Sequence, residues 1–196
     1  MAGIQSGYNP AMPPTYTGSG DDGSTGLLGE GRVPKHHRRI AVCGDLDEAS
    51  AALGLARSLG RASGAADVLK AVQRDLYGLM AEVASLPENA LRFRTIDAGR
   101  VAWLEQTIGT WEEQVSLPDG FILPGDTPNG AAAALARTIV RRAERGVAEL
   151  THSGDLTNPH LLRYLNRLSS LCFALELLEN KAAGIESSSR AAPPSP

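Results

Sequence analysis

Two stretches carry residue types whose spacing can do chemistry: TGSGDDGSTG at residues 17–26 and RRAER at residues 141–145. The first contains Gly18, Gly20 and Gly23, a literal G-x-G-x-x-G. A dinucleotide loop needs a strand before those glycines and a helix opening at them. Here Pro13, Pro14, Thr15 and Tyr16 precede them, and no parallel sheet is signalled afterwards. A P-loop fails too, because no lysine stands between Gly23 and the hydroxyls of Ser24 and Thr25. What survives is the underlying physics. Glycines expose N–H groups and permit positive φ, so a turn can aim several donors at one anion. Thr17, Ser19, Ser24 and Thr25 add hydroxyls, and Lys35 adds a nearby cation. Asp21 and Asp22 repel phosphate directly, but one carboxylate suits Mg²⁺ or a ribose hydroxyl. On composition alone a flexible leader is the simpler reading of these residues.

The second stretch sits inside ALARTIVRRAERGVAEL. Arg137, Arg141 and Glu144 fall at i, i+4 and i+7, so they share one helix face. Arg145 borders that face and Arg142 points elsewhere. A solvated face laced with ion pairs, each worth a few tenths of a kcal/mol, explains charge of this kind by itself. The next helical stretch also interrupts its apolar face, with Asn166, Arg167, Ser169 and Ser170 in YLNRLSSL. Two polar patches on consecutive helices, with a polar glycine-rich arm, can converge on one anionic ligand. Arginine suits that task, because its planar fork binds phosphate oxygens in pairs and keeps its charge. No Ser/His/Asp or Cys/His set is signalled. His36 and His37 lack a third ligand at metal spacing, and Trp103 and Trp111 are spaced as core or interface residues.

The elements that must position these residues are helical. The chain has 196 residues, so one domain is expected, and its formal charge of −3 argues against general nucleic-acid binding. Cys43 and Cys172 form no C-x-x-C pattern, so neither a zinc site nor a disulfide framework is indicated. No apolar run is long enough to span a membrane, and residues 1–14 lack the Lys or Arg of a targeting segment. A cytoplasmic protein is expected. Apolar stripes recur at helical spacing: Leu46, Ala49, Leu53, Ala56; then Val68, Val72, Leu76, Leu79, Val83; then Val101, Leu104, Ile108, Trp111, Val115. Asp45 and Glu48 read as a capping box for the first helix, although it is also able to start near Arg38. A fourth helix is expected from about Ala131 to Leu150. A fifth follows Asn158-Pro159 with Leu161, Leu165, Leu168, Cys172 and Leu175 on one stripe. No stretch alternates with period two long enough to predict a strand. The fold class expected is all-α, a five-helix bundle. Residues 1–14 and 187–196 read as disordered tails, with the folded domain at 15–186 and its arm at 15–36.

Taken together, TGSGDDGSTG, GEGRVPK, CGDLDE, FILPG, RRAER and YLNRLS resemble, in order and spacing, the PduO-type ATP:cob(I)alamin adenosyltransferases. The resemblance runs from about Thr15 to Gly184. It implies a homotrimer with active sites between subunits. It implies transfer of the 5′-deoxyadenosyl group of ATP to the cobalt of cob(I)alamin, with triphosphate released and Mg²⁺ carried by the nucleotide rather than by protein side chains. Thr17, Gly18, Ser19, Gly20, Asp21, Gly23, Thr25 and Gly26 correspond to the family's ATP-wrapping arm, and Lys35 to its phosphate-binding lysine. Arg141, Arg142, Glu144, Arg145 and Asn166 correspond to further nucleotide-binding residues. Asp47 and Arg137 correspond to an ion pair between subunits. Phe121 corresponds to the aromatic residue under the corrin ring, with Ile122 and Leu123 beside it drying the cobalamin site. The resemblance also implies a flavin-type reductase and a cobalamin-dependent acceptor enzyme as partners. The chain departs from the family pattern at Ser19, Asp22, Ala49 and Ser170, where Thr, Lys, Asn and Asp are common. A non-catalytic nucleotide or cobalamin binder, or a purely structural bundle, are the competing functional classes.

Overall fold

The computed structural model describes residues 16–29 and 31–191. The tail expected at 1–14 lies outside the described residues. The arm opens with a short antiparallel hairpin, β1 (Ser24–Gly26) and β2 (Arg32–Pro34). Five helices follow: α1 (Arg38–Leu59), α2 (Ala65–Ala84), α3 (Ala98–Glu112), α4 (Pro128–His152) and α5 (Pro159–Ala182). The expectation of five helices holds. The hairpin was not expected, because three-residue strands are too short to show a period of two.

Local chemistry explains where the helices start. Thr127 caps α4, accepting from the Gly130 N–H at 2.9 Å, and Pro128 occupies the first turn. Asn158 and Pro159 repeat the device at α5, with the His160 N–H donating to Asn158 Oδ1 at 3.0 Å. Asp97 caps α3. The capping box expected at Asp45 and Glu48 does not form. The helix is already under way from Arg38, with His37 as its cap, so those two carboxylates face a neighbouring helix instead. Helix α3 stops at Glu112, before Val115, which turns back half-buried against the core.

The core is built from the predicted stripes, with Leu46, Leu53, Leu76, Leu79, Leu104 and Leu165 fully buried. Helices α1 and α4 pack antiparallel: Arg38 pairs with Glu149 at 3.2 Å, and Asp45 with Arg142 at 3.1 Å. Between those pairs Gly146 lies against Val42. A Cβ there would sit 2.8 Å from Val42 Cγ2, so glycine sets the close approach of the two helices. Tyr164 is buried on α5 and donates its hydroxyl to Asp75 on α2 at 2.7 Å. Arg100 on α3 donates to the same carboxylate and stacks 4.0 Å over the Trp103 ring. Three helices are thereby locked through one carboxylate. Among the described residues no helix is long and apolar enough to cross a membrane.

This packing assigns the two loops of interest to opposite ends. The arm joins the start of α1, and its Leu28 pairs with the backbone of Ala84 and Leu86 at the end of α2. Arg38 and Arg39, next along the chain, reach Asp155 beyond the end of α4. The loop containing Phe121 instead joins the end of α3 to the start of α4. Helix α4 separates these levels; its 25 residues span about 37 Å.

Candidate functional site

The outer face of α4 and α5 carries two adjoining hollows that share Arg141. One, of about 610 Å³, is bounded by Phe121, Ile122, Arg137, Arg141, Phe173 and Glu176. The other, of about 420 Å³, is bounded by Arg141, Glu144, Arg145, Arg163, Asn166 and Arg167. The first combines Phe121, Ile122 and Phe173 with the charged Arg137, Arg141 and Glu176; the second brings four arginines together beside Ala148 and Leu162. A flat apolar ligand suits the first and a polyphosphate suits the second.

Helical spacing explains the grouping. Arg137, Arg141 and Glu144 face these hollows together, as their spacing predicts. Glu144 Oε1 accepts from Asn166 Nδ2 at 3.0 Å, and Asn166 Oδ1 accepts from Arg167 at 2.8 Å. Arg167 in turn donates to Glu105 at 2.8 Å. That chain fixes the floor while Arg141 stays exposed, with no side-chain partner among the described residues. Arg145 folds back onto the Arg141 carbonyl at 2.9 Å.

Arg142 behaves differently from the nucleotide-contact expectation. One residue on, it is rotated roughly 100° away. Its guanidinium donates to Asp45 at 3.1 Å and to Glu48 on α1. Those hydrogen bonds raise its pKa, the bond to Glu48 most. It ties two helices together and faces neither hollow.

The arm is a series of tight turns. The Asp21 and Gly23 N–H groups donate to the carbonyls of Gly18 and Gly20, each at 3.1 Å, and Gly18 and Gly23 have φ of 70° and 78°. Lys35 crosses directly over Gly20; a Cβ at that position would lie 3.0 Å from both Cε and Nζ. Glycine here lets the lysine approach the backbone. Thr25 and Gly26 pair with Val33 and Arg32 in the hairpin, and the Thr17 and Ser19 hydroxyls hydrogen-bond at 2.8 Å. Asp22, in the place where the family pattern has Lys, accepts from the N–H and hydroxyl of Ser24 at 2.9 and 2.8 Å. Those bonds hold its carboxyl below the usual range. Arg32 braces the same turn through Ser24 and the Ser19 carbonyl. Among the described residues, no hydrogen bond or ion pair links this arm to Arg141, Arg145 or Phe121.

Phe121 is 89% exposed at the lip of the larger hollow, and Ile122 lines it. Leu123 does not line that hollow; its backbone N–H is occupied by the Ser189 carbonyl at 2.8 Å. Asp47 is exposed on α1, and no hydrogen bond or ion pair joins it to Arg137 within the described residues. Arg137 Nε and Glu176 Oε1 are both buried without a hydrogen-bond partner. Burial pushes the Glu176 carboxyl above its usual value, against the pull of the Arg137 charge. Burial likewise pushes Cys172 up to about 12. Of the remaining departures from the family pattern, Ala49 is buried in the core and Ser170 lines the larger hollow. No group of three His, Cys, Asp or Glu placed to hold a metal occurs among the described residues.

Sequence reading missed Asp126, Glu176, Arg32 and residues 185–191. Arg32 was findable, since it acts within the arm's own hairpin. Glu176 sits one turn beyond Cys172 on the polar-interrupted face of α5, a weak signal. Residues 187–191, expected as the start of a disordered tail, are instead held along the Phe121 loop by hydrogen bonds. Nothing near them in sequence announces that pairing.

A helical bundle with a glycine-rich arm and two adjoining hollows that share Arg141 defines a ligand-binding protein. The chain belongs to the cobalamin adenosyltransferase family, whose sequence pattern matches residues 15–179. It is 38% identical over 170 residues to the corrinoid adenosyltransferase PduO of Citrobacter freundii, covering 86% of this chain and 50% of that protein. The chain thus spans half the length of that relative. The corrinoid adenosyltransferase of Bacillus subtilis is 36% identical over 174 residues, covering 87% of this chain and 88% of the relative. Among solved structures, a variant PduO-type ATP:corrinoid adenosyltransferase from Lactobacillus reuteri, complexed with cobalamin and ATP, superposes with a TM-score of 0.83. It shares 28% identity and covers 91% of this chain and 99% of its own. Another variant of that enzyme, complexed with ATP, gives 0.82 at 28% identity.

Proposed function

We propose that this chain transfers the 5′-deoxyadenosyl group of ATP to the cobalt of cob(I)alamin, forming adenosylcobalamin and releasing triphosphate. The observation that carries the proposal is the position of Arg141, shared by the apolar cleft at Phe121 and the arginine-rimmed hollow. A residue there touches the groups that flank the reacting carbon on both sides.

In the reaction, the Co(I) electron pair forms a bond to C5′ of ATP as the C5′–O bond breaks, and triphosphate leaves with the bonding electrons. No general base is required. The protein's work is to align the reactants and stabilise charge on the leaving group. Arg141, Arg145 and Lys35, with the arm's backbone N–H groups, are the candidates for that charge. Glu144 and Asn166 hold the floor on which the nucleotide rests. Asp21 is free to meet the ribose or Mg²⁺, which arrives on the triphosphate. Phe121 and Ile122 exclude an axial ligand and water from one face of cobalt, leaving Co(II) four-coordinate and easier to reduce. A flavin-type reductase supplies that electron, and a cobalamin-dependent enzyme accepts the product.

The arm and the Phe121 loop lie at opposite ends of one bundle. A site that uses both therefore takes the arm from a neighbouring subunit, which supports active sites at subunit interfaces; that the assembly is a homotrimer rests on the resemblance to the family. Asp47, exposed and unpaired in one chain, and Arg137, with its buried orphan Nε, are then available to each other across that interface.

The test is to mix purified protein with ATP, Mg²⁺ and cob(I)alamin and follow the cobalt–carbon spectrum alongside triphosphate. The expected result is one triphosphate per adenosylcobalamin. Tight ATP and cobalamin binding without triphosphate would make the chain a carrier.

A further inference from the structure

We propose that residues 185–191 form a strap that positions Phe121, with Asp126 and Ser189 as its clamp. The proposal rests on the reading of Phe121 as the residue that covers cobalt. Since Phe121 is 89% exposed, side-chain packing does not fix its place. Its backbone does. The Ala191 N–H donates to the Phe121 carbonyl at 2.8 Å, and the Leu123 N–H donates to the Ser189 carbonyl at 2.8 Å. Ile122 stands opposite Arg190 in this antiparallel pairing. The carbonyl of Phe121 and the amide two residues on are thus both held by the same short segment.

Asp126 closes the clamp from the far side of the loop. Its carboxylate accepts from the Ser189 N–H at 2.9 Å and from the Ser189 hydroxyl at 2.6 Å. The strap has its own root on α5, where the Ile185 N–H donates to the Asn180 carbonyl at 2.9 Å. Asn180 is buried and accepts from Thr127, the cap of α4, at 2.7 Å. The end of α5, the start of α4 and the loop are therefore one hydrogen-bonded unit. Behind the strap a cavity of about 550 Å³ separates it from residues 113–119, which follow α3, and from α5. The strap meets the loop through backbone pairing and an Arg190–Asp119 ion pair at 3.0 Å rather than through a packed core, so a few polar contacts decide the loop's geometry.

The experiment compares Asp126→Ala, Asp126→Asn and Ala191→Pro with the unaltered chain. Two quantities are read: hydrogen exchange at the Leu123 amide, and the four-coordinate fraction of cob(II)alamin bound with ATP, by electron paramagnetic resonance. Ala191→Pro deletes the donor to Phe121 and sets its ring against that carbonyl, breaking the pairing at this point. Asp126→Ala and Ala191→Pro should speed exchange about tenfold or more. They should also shift most of the signal to five-coordinate, with ATP affinity held. Asp126→Asn should keep both properties, because an amide offers one acceptor to the Ser189 N–H and one donor to its hydroxyl. Unchanged exchange in Asp126→Ala and Ala191→Pro overturns the strap. Faster exchange with an intact four-coordinate signal also overturns it, provided Phe121→Ala loses that signal; the reading of Phe121 then survives. If Phe121→Ala itself keeps the signal, that reading fails and the strap's role fails with it.

Discussion

The same clamp occurs at both ends of the bundle. In the arm, Asp22 receives the N–H and hydroxyl of Ser24, two residues away. Beside the Phe121 loop, Asp126 receives the N–H and hydroxyl of Ser189, separated by 63 residues. The first shapes a turn from within. The second staples two distant segments. The arm is thus shaped by bonds within itself, several of its N–H groups at Asp21, Gly23 and Ser24 being spent on that turn, and Lys35 lies over Gly20. The Phe121 loop presents an exposed ring whose place depends on another part of the chain. An anion site tolerates local construction, because N–H groups in one turn already point together. If the ring covers cobalt, as proposed, its placement rests on that distant segment.

The largest test of this contrast lies on α4. Arg141→Ala should lower the single-turnover rate by about 10² to 10³ at saturating ATP, as loss of an electrostatic contact to a leaving group does. Arg142→Ala, one residue along, should leave that rate within a few-fold. Stopped-flow spectra of the two variants settle the assignment, and equal losses would sink it. Next, Gly20→Val should displace Lys35, since a Cβ already falls 3.0 Å from its Cε and Nζ. Losing one charge-assisted contact should weaken ATP binding about tenfold, measured by calorimetry. Normal affinity in Gly20→Val would mean that the lysine does not reach the phosphates.

Stability should show a smaller effect. Arg142 and its carboxylates are substantially exposed, so Arg142→Ala should move the denaturant midpoint of unfolding only slightly. A larger loss would make the α1–α4 ion pairs a main support of the bundle. The smallest expected effect is on pH. Hydrogen bonds from Ser24 and from Ser189 lower the pKa of Asp22 and Asp126 respectively, the side-chain bond contributing most in each. A depressed carboxylate stabilises the folded form above its unfolded pKa and loses that contribution as pH falls through the folded value. Both clamps should therefore hold at neutral pH and loosen together below the ordinary carboxylate range. Amide exchange at Ser24 and Ser189, followed against pH, checks this. Loosening near neutrality would remove the carboxylates from the account.

Much was legible before any coordinates. The stripes from Leu46 to Ala56 and from Leu161 to Leu175 became the buried faces of α1 and α5, and the shared face of Arg137, Arg141 and Glu144 became the wall of the hollows. The Asn158-Pro159 start was also readable, as a cap followed by a residue suited to a first turn. The failures share a cause. Asp45 and Glu48 look like a capping box locally, yet they answer to Arg142 across a helix pair. Residues 187–191 look too polar to pack, yet they fold as a backbone partner for a loop.

Helix periods, caps and the arm's internal turns depend on residues within a few positions of one another, and the sequence alone determined them. Only the tertiary structure decided which arginine remains free, which carboxylate clasps which serine, and that the arm and the Phe121 loop stand at opposite ends. Those outcomes depend on how helices approach and rotate against each other, and no short-range pattern records that geometry.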